Sequence, residues 1–231
     1  MTDYLQIMIL FGSTLLGGLA VFLFNNPEES KLKLLISFSG SYLLAICLLH
    51  MIPEIFEDGE EGIGIYILAG FFLQVLLEFF SGGIEHGHVH VHKSNINVIP
   101  LALILSLCVH AFTEGMPLSG LEEQRNTLIL GIVLHKMPIA FVLMVFLTKA
   151  QLSKGKSVAV LLLFALMAPV GVLIGSSILE VVSMEKLLAI VVGIFLHVST
   201  TILFESTDNH RFNIQKIIII IFGASLAFIH I

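Results

Sequence analysis

Tryptophan is absent from the 231 residues, cysteine occurs twice, and charged residues make up only 12% of the chain. Soluble domains carry about 25% charged residues, so this composition argues against a soluble globular protein. Cys47 and Cys108 lie in separate apolar runs without CxxC spacing, which argues against a disulfide framework, a cysteine metal site and thiol redox chemistry. Without tryptophan, any aromatic belt at a membrane surface must come from tyrosine and phenylalanine.

Long apolar runs are what the sequence has in abundance. Hydrophobic residues make up 57% of the chain, and the mean hydropathy is +1.01. A helix needs roughly 20 apolar residues to cross the hydrocarbon core, and eight runs have about that length. We therefore predict an all-α polytopic membrane protein, with residues 1–231 forming a single eight-helix transmembrane domain. The predicted spans are 4–24, 34–56, 63–83, 96–117, 126–148, 157–179, 187–204 and 214–231.

The basic residues between the spans predict the orientation of the chain. Lysine and arginine are retained on the cytoplasmic side of membrane proteins, and an even number of spans places both termini on one side. With the termini outside, only Arg125 and Lys186 lie at outer ends. The inner ends then hold Lys31, Lys33, Lys93, Lys149, Lys154, Lys156, Arg211 and Lys216. We expect a protein of the plasma (inner) membrane with both termini outside.

Ionisable residues within the fourth and fifth spans predict a metal site. Such groups cost at least about 2.5–3.5 kcal/mol at membrane depth, so they usually face a bundle interior or a water-filled path. His110 and Glu114 are four residues apart on one face of the fourth span, and His135 lies on the fifth. The topology puts both imidazoles at a similar depth, roughly 20 Å from the inner boundary. Two imidazoles and a carboxylate suit Zn²⁺.

Alternatives remain for each of these groups. Either histidine could be an ordinary hydrogen-bonding residue between helices, although Glu114 then has no evident partner. Lys136 is too deep for its stem to reach either membrane surface, and we interpret it as a fixed cation beside the metal site. Pro138 leaves carbonyl groups of the fifth span without hydrogen bonds, as is tolerated where a helix lines a cavity.

Two further histidine groups lie nearer the ends of the spans. His50 and Glu54, above an acidic loop, could form a cation entrance or simply a solvated helix end. A cytoplasmic histidine-rich loop at about 84–95 follows the third span, and we expect it to capture or release metal, with a disordered polar loop as the alternative. Its histidines are His86, His88, His90 and His92.

The seventh span carries His197 and, towards the inner face, Glu205. These residues could form an exit path, or they could only hold helices together by hydrogen bonds. Gln74 and Glu78 on the third span are ambiguous in the same way.

Three motifs of the chain are HAFTEG at 110–115, LHKMPIAF at 134–141 and IEHGHVHVH at 84–92. In these motifs the chain resembles the ZIP (Zrt-, Irt-like protein) family of zinc and iron transporters. It implies inverted pseudo-repeats, spans one to three and six to eight, around spans four and five, with elevator-like alternating access. Carried over by position, His110, Glu114 and His135 would be the transport-site ligands. Lys136 stands where other members have an acid or amide, which implies one metal, with the lysine substituting for a second.

These observations predict a transporter rather than an enzyme. We expect uptake of Zn²⁺ as the transported substrate, with Fe²⁺ or Mn²⁺ as further candidates, without ATP hydrolysis, organic cofactor or nucleic acid. The partners are then divalent transition-metal ions and the lipid bilayer, and a homodimer is compatible with the sequence. The rivals are a haem-binding membrane electron carrier with paired histidine ligands and a metal-sensing membrane protein without transport.

Overall fold

The computed structural model describes residues 3–24, 29–57, 61–86, 99–121, 125–205 and 214–230, and all regular structure within them is helical. Eight helices correspond one to one to the eight predicted spans. The second, α2, passes without interruption through a π-helical turn. The helices are α1 (Asp3–Leu19), α2 (Glu29–Ile46, then the π-helical turn Cys47–Met51 and Ile52–Glu57), α3 (Gly64–Ser81), α4 (Leu101–Gly115), α5 (Arg125–Lys149), α6 (Lys154–Leu179), α7 (Met184–Glu205) and α8 (Ile214–Leu226).

Helix length and composition confirm a polytopic membrane protein. Within the described ranges, seven helical segments are long and apolar enough to cross a membrane. The eighth, α8, has 13 residues and continues as a 3-10 turn at Ala227–His230. With about 1.5 Å of rise per α-helical residue and 2.0 Å per 3-10 residue, α8 and its turn measure about 28 Å, close to the hydrocarbon thickness.

The helices pair in a pattern that agrees with the expected pseudo-repeats. α1 packs on α5 as α6 packs on α4, and α2 packs on α8 as α7 packs on α3. Exchanging helices one to three with six to eight, and four with five, therefore converts the α1–α5 pair into the α6–α4 pair. The same exchange converts the α2–α8 pair into the α7–α3 pair. These pairs, with α1 on α6 and α2 on α7, define two sets: group I (α1, α4, α5 and α6) and group II (α2, α3, α7 and α8). The groups meet mainly where α2 contacts α5 and α3 contacts α4.

Glycine brings helix backbones together within each group. In group II, a Cβ atom on Gly70 of α3 would collide with the backbone of Ile190 on α7, and Gly193 makes the reciprocal approach. In group I, a Cβ atom on Gly115 of α4 would collide with the backbone of Ala168 on α6. Small residues drive such close packing in membranes, where apolar side chains gain little by leaving lipid. Both groups therefore contain backbone-to-backbone contacts that a larger side chain would separate.

The buried apolar side chains form two clusters, and the ionisable residues of α5 lie between them. Leu128 and Ile132 of α5 belong to one cluster, and Ile139 and Leu143 belong to the other. His135 and Lys136 lie on the stretch of α5 between these two clusters. Apolar side chains thus lie on both sides of the polar site along the length of α5.

Candidate metal site

Three potential metal ligands converge inside the bundle. His110, Glu114 and His135 each offer an atom, and these atoms all lie within 4.8 Å of one another. All three side chains are buried, with exposures of 0%, 0% and 1%. The two imidazole rings meet edge to face, with centroids 5.9 Å apart. Among the described residues, this is the one group of three or more His, Cys, Asp or Glu residues arranged in this way.

The site fills the space between two helices whose backbones stay apart. α4 and α5 pack on α6 and α1 respectively, but they are not themselves a closely packed pair. His110 and Glu114 point across from one face of α4 because their four-residue spacing is about one helical turn. His135 reaches the same point from α5. Side chains rather than backbones therefore bridge this gap.

The arrangement is slightly wider than a closed zinc site. Zinc binds imidazole nitrogen and carboxylate oxygen at about 2.0–2.2 Å, so tetrahedral ligand atoms lie roughly 3.4 Å apart. In the structure the ligand atoms lie within 4.8 Å of one another. Side-chain movement of an ångström or so would bring the donors to bonding distance. The donor set has no thiolate, a ligand that is common in structural zinc sites.

Glu114 is paired with Lys136, so the expectation that it has no other partner is wrong. Its Oε2 lies 3.0 Å from Nζ of Lys136, and its Oε1 lies 3.1 Å from Nε2 of His110. The Lys136 ammonium also donates to the carbonyl of Ala111, at 3.2 Å, and lies 5.6 Å from the ring centroid of Phe164. Sequence spacing could not reveal this pair, because a flexible four-carbon stem carries the ammonium across to α4.

Sequence reasoning left the role of Gln74 on α3 open, and the structure places this residue against the site. Its Oε1 lies 2.9 Å from Nδ1 of His110, and its side chain is fully buried. A second hydrogen bond joins the same two helices, from the hydroxyl of Ser106 on α4 to the carbonyl of Leu77 on α3, at 2.5 Å. The sequence feature that could have indicated this contact is the carboxamide of Gln74 itself, a polar side chain within the apolar run of the third span.

The structure places His50 against α8. His50 is buried in the π-helical turn of α2, and its Nε2 lies 3.0 Å from the carbonyl oxygen of Ala227. A π-helical turn adds a residue to the helix, so the four-residue spacing to Glu54 no longer describes one regular turn. Glu54 is half-buried. A role for this pair at a cation entrance stays a prediction. With Nε2 of His50 donating to the carbonyl of Ala227, Nδ1 is the ring nitrogen left to bind an ion.

The structure brings His197 of α7 to Glu78 of α3. Their Nε2 and Oε2 atoms are 3.4 Å apart, and both residues line a cleft of about 420 Å³ with Val75, Phe79, Gly82 and Gly83. Other residues of the predicted exit and loop are outside the described structure. The side chains of His86 and Glu205 are not among those described, and neither are His88, His90 and His92.

The bundle matches known proteins over much of its length. The family profile described as ZIP Zinc transporter matches residues 84–230. The chain belongs to the ZIP zinc transporter family. Among ZIP proteins, Zinc transporter ZIP1 of Homo sapiens is 25% identical over 252 residues, which covers 86% of this chain and 78% of that protein.

A second ZIP relative matches more closely over a shorter stretch. Zinc transporter ZIP9 of Micropogonias undulatus is 29% identical over 119 residues, covering 49% of this chain and 38% of that protein. The ZIP9 of Xenopus tropicalis is 30% identical over 113 residues, covering 47% and 37%. The chain thus spans well under half the length of the ZIP9 relatives that it matches.

Proposed function

We propose that this ZIP-family chain carries Zn²⁺ across the membrane into the cytoplasm, with His110, Glu114 and His135 as the transport ligands. The observation that supports this best is the convergence of these three buried side chains, with ligand atoms within 4.8 Å of one another. Two imidazole nitrogens and a carboxylate oxygen replace part of the hydration shell of the ion. Further coordination positions stay open to water or another ligand. Fe²⁺ and Mn²⁺ also accept nitrogen and oxygen ligands and are secondary candidates.

Lys136 supplies the positive charge that balances Glu114 between transport events. The ammonium lies 3.0 Å from the carboxylate. A metal ion that binds Glu114 must displace this ammonium or share the carboxylate with it, so Lys136 competes with the metal. Its fixed charge also opposes binding of a second divalent ion at the same carboxylate, since like charges repel strongly at this distance. We infer a single-ion site.

The direction and location of transport rest on the distribution of basic residues. Eight of the eleven lysine and arginine residues fall on inner loops or ends when both termini are outside. With this orientation in the plasma (inner) membrane, uptake is movement towards the histidine-rich loop. In the single transmembrane domain, that loop would receive the ion, His197 and Glu205 would lie on its exit path, and His50 with Glu54 at its entrance.

Movement of group I against group II offers a route for alternating access. The transport ligands all belong to group I, because they lie on α4 and α5. Backbone contacts at glycine favour motion of each group as a unit. Across the boundary, a Cβ atom on Gly131 of α5 would meet side-chain atoms of α2, from Ile46, Leu43 and Tyr42. Side chains can change rotamer more readily than backbones can move, so this boundary is the better place for sliding.

Zinc flux into vesicles that contain the purified chain tests the proposal. We expect a saturable flux that His110→Ala, Glu114→Ala and His135→Ala each abolish while the protein still folds. Thr113→Val is the matched control, because Thr113 is buried next to Glu114 and, among the residues described, its hydroxyl bonds only within its own helix, to the carbonyl of His110. Unchanged flux in the site variants would refute the ligand assignment. Zinc binding without flux in the parent protein would instead support a sensor.

A further inference from the structure

The carboxamide of Gln74 controls one nitrogen of a proposed metal ligand. Its Oε1 lies 2.9 Å from Nδ1 of His110. An amide oxygen can only accept a hydrogen bond, so Nδ1 carries the proton and donates it. The other ring nitrogen, Nε2, points to Oε1 of Glu114 at 3.1 Å. The nitrogen that faces the metal cluster is therefore the one that Gln74 does not engage.

We propose that Gln74 is a positioning residue of the metal site, which fixes the tautomer and ring orientation of His110 so that Nε2 faces the ion. This inference rests on the proposed function. A histidine that binds metal through one nitrogen usually donates its other N–H to an oxygen acceptor. That acceptor prevents the ring from turning and keeps the metal-binding lone pair aimed at the site. Gln74 supplies this oxygen from a different helix.

The surroundings of Gln74 argue against a packing role alone. Its neighbours in sequence, Leu73 and Val75, are apolar, and an apolar residue would fill the same space without desolvating an amide. Within the described part of the chain, the buried Nε2 of Gln74 has no hydrogen-bond partner. Leaving a buried donor unsatisfied costs about 1–3 kcal/mol. Gln74 is nevertheless placed with its Oε1 directed at Nδ1 of His110.

The bond also crosses the boundary between the two groups. Gln74 lies on α3 of group II, whereas His110 lies on α4 of group I. Gln74 can therefore align the imidazole of His110 only while α3 and α4 keep their present relative position. Sliding of the groups would separate donor from acceptor and release the imidazole.

Zinc affinity, measured by competition with a chromogenic chelator, tests the inference. The parent protein for this test is the purified full-length chain with the loop histidines replaced by alanine, so that zinc binding reports the buried cluster. The replaced residues are His86, His88, His90 and His92. Gln74→Leu removes the acceptor and keeps a similar volume, and we expect it to weaken zinc binding by about 10–100-fold. Gln74→Glu restores an acceptor oxygen, and we expect its affinity within about threefold of the parent protein. Ser106→Ala is the matched control, because it removes a hydrogen bond from α4 to α3 that does not involve the cluster. Its zinc affinity should stay within about twofold of the parent value.

The outcomes separate this inference from the proposed function. The role of Gln74 is refuted if Gln74→Leu binds zinc like the parent protein, if Ser106→Ala weakens binding equally, or if Gln74→Glu fails to restore it. In each case, loss of binding in His110→Ala would leave the proposed metal site intact. Zinc binding that persists in His110→Ala would refute the site itself and, with it, the role of Gln74.

Discussion

Glu114 and Lys136 form an ion pair with Nζ and Oε2 3.0 Å apart, and both side chains are buried. Lys136 follows a proposed ligand in sequence, and its partner is the proposed carboxylate ligand itself. The ammonium and the metal ion therefore compete for one carboxylate. Metal affinity and protein stability should respond in opposite directions when the lysine is changed.

Replacing Lys136 by methionine should strengthen zinc binding at least about tenfold, because a fixed positive charge is removed from the site. Without zinc, the same change should lower the free energy of unfolding by about 3–5 kcal/mol, because Glu114 loses the partner of a buried ion pair. Added zinc should then raise the unfolding temperature more than in the parent protein. Chelator competition and thermal unfolding measure the two effects. Lys136→Arg keeps the charge, and equal tightening in both variants would contradict the competition.

Glycine contacts between α3 and α7 predict a second outcome. Gly70→Ala should lower the free energy of unfolding by about 1–3 kcal/mol, because the added methyl group meets the backbone of Ile190. Gly12→Ala is the control, since a Cβ atom there meets nothing within 4 Å. This substitution should be neutral or stabilise α1 by up to about 1 kcal/mol. Equal stabilities of the two variants in detergent unfolding would count against the close approach.

The bond from His50 to α8 predicts a structural phenotype for this residue. His50→Ala should reduce the free energy of unfolding by about 1–3 kcal/mol, because the buried carbonyl of Ala227 loses its donor. We expect the KM for zinc flux to change less than about twofold, since the proposed transport ligands are other residues. Flux kinetics together with thermal unfolding separate the two effects. A large rise in KM with normal stability would instead favour the cation entrance.

Membrane orientation can be tested with introduced cysteines, because Cys47 and Cys108 are both buried. Glu61, between α2 and α3, and Ser153, before α6, are both exposed. In the proposed orientation, Glu61→Cys should react with a membrane-impermeant maleimide in intact cells. Ser153→Cys should react only after the membrane is opened. The reverse pattern would place both termini inside and turn the proposed uptake into export.

The number and type of the helices could be predicted from the sequence, because each span needs about 20 apolar residues and the loops between them are short. Helix ends were harder to predict. The second helix begins at Glu29, five residues before the predicted start at 34, because basic residues such as Lys31 and Lys33 can continue a helix beyond its apolar run. The fourth helix begins after Pro100 rather than at the predicted start, 96, because helical geometry is unfavourable for the residue that precedes a proline.

The ligands of the candidate site could be predicted from their spacing and depth. The contacts that other side chains make with those ligands from neighbouring helices could not. His110 and Glu114 share a face by their four-residue spacing, and depth suggested His135 as their neighbour. The partner of Lys136 depends on the reach of a flexible side chain, and the contact of Gln74 depends on how α3 lies beside α4. A π-helical turn, which apolar periodicity does not reveal, sets the direction of His50.

The pairing of Glu114 with Lys136 has a consequence for the energetics of a full cycle. In the transport cycle that we propose, their charges cancel in the metal-free state, whereas the loaded state gains the two positive charges of the ion. Each elementary charge moved across the full membrane potential exchanges about 2.3 kcal/mol per 100 mV with the field. A negative interior would therefore pull the loaded form inward and leave the return step almost indifferent to voltage.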